Sequence, residues 1–157
     1  MEKNMISLRV KDALVTPMLA LIVDAKTPVE DVIKSFAEKP EIHGIFVVDE
    51  KMKLKGVITR YDLLLWAKVM TGVPRAKNID DLMNTVRISM SKTAGGMVRP
   101  ETKDATVTLD DDINVALDKM IRLELLDIPV VDKKGKVIDD LRLSEILKAI
   151  IEKTKKR

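Results

Sequence analysis

The sequence predicts an α/β fold of the α+β kind: two pseudo-symmetric units in tandem, each a small sheet of about three strands with two packed helices. Three observations predict it. Two segments about 83 residues apart repeat the same order of structural signals. Each holds an apolar, β-branched run closing on aspartate, GIFVVD (44–49) and DIPVVD (127–132), which reads as a strand. Each also holds two stretches whose apolar residues recur at helical spacing.

The units begin with apolar strands, LALIV (19–23) and ATVTL (105–109). In the first helix, TPVEDVIKSFA (27–37), Val29, Val32, Ile33, Phe36 and Ala37 share one face. Thr27 suits the cap, Pro28 the first helical position, and Glu30 completes a T-x-x-E capping box. DDINVALDKMI (111–121) repeats the helix with Ile113, Ala116, Leu117, Met120 and Ile121, and Asp111 stands in for Thr27. After the aspartate-ending strands come turns, EKMKLK and KKGK, and further strands, GVIT (56–59) and KVIDDLR (136–142). A second helix closes each unit, carrying Leu63, Leu64, Ala67 and Met70 after Asp62, and Ile146, Leu147, Ile150 and Ile151 after Glu145. The units are expected over 6–70 and 89–152, joined by a linker over 71–88 with a Gly and a Pro, and followed by a basic tail over 153–157. The segment DLMNTVRISMSKTAGG is compatible with a helix entering the second unit. Neither unit alone readily buries both helices, so the two are expected to pack together and leave two equivalent clefts between them.

Composition narrows the function classes. The 157 residues are 46% hydrophobic and 34% charged, well mixed, and no apolar run approaches the roughly 20 residues of a membrane span. The N-terminus is broken by Lys3, Arg9, Lys11 and Asp12, unlike a signal peptide, so a cytoplasmic protein is expected. Cysteine is absent and His43 is the sole histidine, which removes disulfides, thiolate chemistry and multi-histidine metal sites. The net charge of +3 owes much to Lys153, Lys155, Lys156 and Arg157, a tail that reads as a solvated terminus. Two Phe, one Tyr and one Trp leave little for base stacking, so nucleic-acid binding is a weak alternative. Glutamine is missing while Lys and Glu abound, a bias shared with thermophile proteins. Gly95 and Gly96 lack the flanking lysine of a phosphate loop, no histidine–carboxylate pair is visible, and no enzyme is expected.

GVITRYDL (56–63) ends a buried-looking strand on Thr59, Arg60 and Asp62. That ending reads equally as a helix cap or as a polar site, where Arg60 offers a fork to phosphate and the helix start favours an anion. The ordered motifs VKDALVTP (10–17), TPVEDVI (27–33), GIFVVDEKMKLKGVITRYDL (44–63), MVRP (97–100), DINVALDKM (112–120) and DIPVVDKKGKVIDDLRLSEIL (127–147) resemble the tandem CBS domain, or Bateman module, over nearly the whole chain. With no catalytic domain attached, the chain looks like a stand-alone CBS pair. The resemblance implies a regulatory module for adenosine compounds such as AMP, ADP, ATP or S-adenosylmethionine, needing no cofactor, and a homodimer built on terminal helices with Leu64, Trp66, Met70, Ile150 and Ile151 as candidate contacts.

In such a module the residue at Thr59 would contact phosphate or ribose and Asp62 the ribose hydroxyls. Gly44, Ile45 and Phe46, with Ile22 and Val23, would form the base slot, although each also reads as core; His43 reads as a surface residue beside it. The second unit departs from the pattern: Gly56, Val57, Thr59 and Asp62 become Asp139, Asp140, Arg142 and Glu145. Arg142 and Glu145 can still serve phosphate and ribose, with Asp127, Ile128 and Pro129 as base edge, while Asp139 and Asp140 oppose a polyphosphate. Unequal clefts are therefore expected. The leading reading is an adenine-nucleotide sensor that signals to an unknown protein partner by changing the angle between its units. The alternative is a ligand-free structural or oligomerisation module.

Overall fold

A computed structural model describes residues 5–15, 17–72 and 75–156. Thr16 of the first motif, Val73 and Pro74 of the connection, Lys3 near the N-terminus and Arg157 of the tail lie outside the described residues. The elements run α1 (Val10–Ala13), β1 (Leu21–Asp24), α2 (Val29–Ala37), β2 (Ile45–Val48), β3 (Leu54–Ile58), α3 (Arg60–Thr71), α4 (Ile79–Met90), α5 (Ala94–Met97), α6 (Ile113–Leu123), β4 (Asp127–Val131), β5 (Val137–Arg142) and α7 (Leu143–Lys155). The mixed α/β architecture in two sheets is the expected one.

In the first sheet β2 is central, parallel to β1 and antiparallel to β3. Its residues alternate between two cores, as the two-residue period of a strand requires. Ile45 and Val47 join Val32, Leu65, Ile88 and Met97 on one face. Phe46 and Val48 join Val57, Ile113, Ile128 and Leu141 on the other, where the two units meet. Both faces are thus covered, which explains an uninterrupted apolar run where a half-exposed strand would alternate. Each such side chain contributes roughly 1.5–3 kcal/mol by leaving water.

The segment ahead of each unit packs on the other unit. Val10 donates its N–H to Asp111 and Ile113 to Leu8, and in parallel Ala94 donates to Thr27 and Val29 to Lys92. Accordingly Leu8, Val10 and Ala13 belong to the core shared with α6, whereas Ala94 and Met97 belong to that of the first sheet. The hairpin turns repeat in atomic detail. Asp49 accepts from the N–H groups of Lys51 and Lys53, and Asp132 from those of Lys134 and Lys136. These donors hold both exposed carboxylates below the usual range, chiefly through the Lys53 and Lys136 amides.

Several expectations need correction. Thr27 does not cap α2: its N–H bonds to Asp24 and its carbonyl receives Ala94, so Pro28 precedes the helix without a side-chain cap. Asp112, not Asp111, caps α6 by accepting from Asn114, while Asp111 receives Thr108. The strand expected over 105–109 shrinks to one bridge, Val107 to Val130. Turns at Ala105, Thr106 and Asp111 bend the chain on both sides of it, leaving a two-stranded sheet of β4 and β5. Ile121, expected on the buried face of α6, is exposed. Within the stretch read as a linker, α4 packs on α3 and places Ile88 in the first core.

Candidate functional site

Thr59 follows β3 and caps α3, a helix of good formers (Leu63, Leu64, Leu65, Ala67, Lys68 and Met70) that stops at Gly72. The cap is reciprocal. Asp62 N–H donates to Thr59 Oγ1 at 3.3 Å, and Thr59 N–H donates to Asp62 Oδ2 at 2.8 Å. Thr59 Oγ1 adds a 2.9 Å bond to the same oxygen. The other oxygen, Oδ1, takes the Arg87 guanidinium from α4 at 2.7 Å. Asp62 is therefore fully buried behind Thr59, while Arg60 reaches into solvent.

Thr59, Arg60, Tyr61 and Leu64 line a cleft of about 680 Å³ that the second unit completes with Arg99 and Glu124. Arg99 is anchored to the first unit: its N–H bonds to the Val57 carbonyl at 3.2 Å, and its guanidinium lies 5.1 Å from the Tyr61 ring centroid. An ion pair with Glu101 at 3.5 Å adds to this. The lining is thus apolar along α3, with two guanidiniums against the one Glu124 carboxylate, a net positive charge suited to a small organic anion. At its inner end Thr59, Arg60 and Glu124 also border a narrow seam with His43, Gly44 and Asp127.

The second unit is built differently. Glu145 caps α7 by accepting from Arg142 N–H at 3.2 Å, as Asp62 caps α3. Arg142 then bridges Asp140 at 3.3 Å and Glu145 at 3.4 Å. The chain ahead of β1 lies across this triad: Val15 N–H donates to Glu145 at 3.1 Å, Leu19 N–H to Asp140 at 3.2 Å, and Arg142 to the Pro17 carbonyl at 3.4 Å. The cleft beside Arg142, Leu143, Leu147 and His43 holds only about 240 Å³. The two clefts are unequal, and the larger one belongs to the first unit.

Asp127 is 2% exposed, and neither of its carboxylate oxygens meets a donor. Burial, and then the neighbouring Asp140, push it up to about 10, which favours the protonated carboxyl at neutral pH. Asp139 is raised as well, mainly by burial. The structure therefore brings Thr59, Arg60, Gly44 and Asp127 to one seam. It leaves Ile45, Phe46, Ile128 and Pro129 buried in strands, Val23 in the first core, and Ile22 packed against the shared one. Sequence reasoning missed Arg87 and Arg99; the MVRP motif contained Arg99, but nothing in the spacing aimed it at α3. Among the described residues no group of side chains could hold a metal ion, and no helix is long and apolar enough to cross a membrane.

The profile of the CBS domain matches twice, at residues 10–68 and 97–152. The chain is 26% identical over 141 residues to "CBS domain-containing protein CBSX1, chloroplastic" of Arabidopsis thaliana, covering 83% of this chain. CBSX2 of the same plant is 26% identical over 145 residues. The aligned regions span 59% and 58% of those relatives' own lengths. Among solved structures, CBSX2 in complex with AMP superposes with a TM-score of 0.72, at 26% identity, over 95% of this chain and 99% of that one. A CBS domain-containing protein of Thermotoga maritima superposes at 0.70, also at 26% identity, over 92% and 95%. Two matched segments, one on each side of the shared core and each ending in a capped helix that borders a cleft between them, make this chain a tandem CBS-domain pair, a member of the CBS domain family.

Proposed function

We propose that the protein is a regulatory module that binds an adenosine compound, AMP, ADP or ATP, in the larger cleft between its CBS units and performs no catalysis of its own. The observation that carries this reading is the 680 Å³ cleft in which Thr59 and Arg60 of one unit face Arg99 of the other. A phosphate suits the start of α3, where the helix dipole favours an anion and Arg60 and Arg99 line the cleft. The apolar wall of Phe36, Leu63, Leu64 and Ala67 suits the rest of the molecule. The AMP complex of CBSX2, whose fold and 26% identity extend over nearly this whole chain, supports the ligand class. Because both units line the cleft, a ligand there favours one angle between them, and that angle is the signal a partner protein or a second copy reads.

In this reading Thr59 and Arg60 contact the phosphate or ribose, while Asp62 acts by fixing Thr59. Gly44, Ile45, Phe46, Ile22 and Val23 shape the base end through their backbone. The second site, with Arg142, Glu145, Ile128 and Pro129, is the weaker one; Asp127, expected at its base edge, borders the seam of the first cleft instead. A structural, ligand-free role is the competing reading, favoured by the engagement of Asp62 with Arg87 and of Glu145 with Val15.

Thermal melting of nucleotide-free protein with AMP, ADP, ATP and S-adenosylmethionine separates the two. A ligand at about 100 times its dissociation constant adds roughly 2.7 kcal/mol of stability. Arg60→Ala, an exposed change, should reduce that shift for phosphorylated ligands. An unchanged melting curve with all four compounds would leave the structural reading in possession.

A further inference from the structure

Asp127 occupies a place where an ordinary core would put an apolar residue. It is 2% exposed, neither carboxylate oxygen has a donor, and its neighbours in the seam include Val57, Ile58, Leu125 and Leu126. A buried carboxyl that no donor meets opposes folding, and a small apolar residue would serve packing better. Across the seam lies Gly44, its counterpart in the first unit. A Cβ on Gly44 would stand 3.1 Å from Asp127 Oδ2, 3.2 Å from Asp127 Cβ and 2.9 Å from Phe46 Cε1. Gly44 thus lets the two units approach closely here, where a Cβ would crowd Asp127. What remains is a cavity of about 10 Å³, bordered by Thr59, Arg60 and Glu124, the same residues that border the large cleft.

We propose that the Asp127 side chain is the base-reading group of the first cleft, its carboxyl accepting a hydrogen bond from the exocyclic amino group of adenine. This rests on the reading of the cleft as an adenosine-compound site and specifies what selects the base there. A ligand whose phosphate sits at Thr59 and Arg60 directs its base inward along the lining these residues share with Asp127. To reach the carboxyl the base has to part the units at Gly44 and Asp127, so that reading the base and changing the angle between units are one event. Protonated or not, the carboxyl keeps acceptor lone pairs that no donor among the described residues meets. An amino group satisfies them, and the oxo group of hypoxanthine opposes them.

The experiment is isothermal calorimetry of AMP and IMP with the full chain and with Asp127→Ala and Asp127→Asn, together with their melting temperatures. The parent should prefer AMP over IMP by at least about tenfold, well within the roughly 10⁴-fold or more by which a site built for a donor can reject an analogue lacking it. Asp127→Ala should melt higher than the parent at pH 8, bind AMP at least about tenfold more weakly, and lose the preference. Asp127→Asn, which keeps an acceptor oxygen, should retain the preference. Equal binding of AMP and IMP by the parent, or undiminished AMP preference in Asp127→Ala, would overturn the assignment while leaving the cleft an adenosine site. Failure of the parent to bind AMP, ADP or ATP would overturn the reading of the cleft and the assignment with it.

Discussion

Arg87 of α4 places its Nη2 2.7 Å from Oδ1 of Asp62, whose other oxygen closes the cap of α3. Arg87 also donates to the Met97 carbonyl, so one guanidinium ties α3, α4 and α5 together. Removing it leaves a buried carboxylate without its only charged partner among the described residues, held by Thr59 alone, and loss of one member of a buried pair costs about 3–5 kcal/mol. Arg87→Ala should therefore lower the unfolding free energy by that amount, seen as a lower urea midpoint with the slope unchanged. A loss below about 1 kcal/mol would show that water replaces Arg87 at Asp62.

The same pair shows where the sequence was legible and where it was not. Thr59 and Asp62 lie three residues apart, so either a cap or a site could be read from their spacing alone. The cap is what the structure holds, because local backbone geometry suffices to form it. Arg87 is 25 residues from Asp62 and sits in a stretch read as a linker. Nothing periodic connects them, and only the docking of α4 on α3 brings the charges together. The repeat itself was legible because its strands and helices each bury a face at a fixed period. The exchange of Val10 and Ala94 between units was not, because it depends on which of two equivalent cores receives each segment.

The hairpin turns carry a second contrast. Met52 has φ 63° and Gly135 has φ 82°, both left-handed and both at the equivalent point of the repeated turn. Glycine adopts this region without steric cost, whereas a residue with a Cβ incurs roughly 1–2 kcal/mol, partly offset by its lower chain entropy. Met52 is 38% exposed and contributes little to the core. Met52→Gly should raise stability by up to about 1 kcal/mol in thermal or urea unfolding. A measured destabilisation would mean that the Met52 side chain packs against the facing hairpin, where Val137 N–H bonds to the Met52 carbonyl.

Gly56, at φ 157°, has a second reason to be glycine. A Cβ added there would overlap Val98 Cγ1 and come within 3.2 Å of Thr102 Oγ1, the hydroxyl that accepts from Val57 N–H. Overpacking of a filled site costs about 1–3 kcal/mol. Gly56→Ala should lose that much, and a Val98→Ala change made with it should recover part of the loss, a coupling that a double-mutant cycle in urea measures. Independent effects would place the strain elsewhere.

Asp127 should leave its mark on the pH dependence of stability. Its folded pKa is raised to about 10, from an ordinary carboxylate value of 3.8, first by burial and then by Asp140. Below that ordinary value both folded and unfolded chains hold the proton, and Asp127 does not oppose folding through its charge. Between the two values only the folded chain holds it, so folding takes up a proton and stability falls as pH rises, by up to about 1.4 kcal/mol per unit. Above the folded value the loss is complete. Asp139, also raised by burial, adds a slope of the same sign, while Arg142 opposes the shift of Asp127 and Glu145 adds to it. Asp127→Asn removes the titrating group and keeps the shape. The stability of the Asn variant relative to the parent should therefore climb steadily from pH 5 to pH 9 in urea unfolding, and parallel curves for the two proteins would show that Asp127 ionises normally in the folded chain.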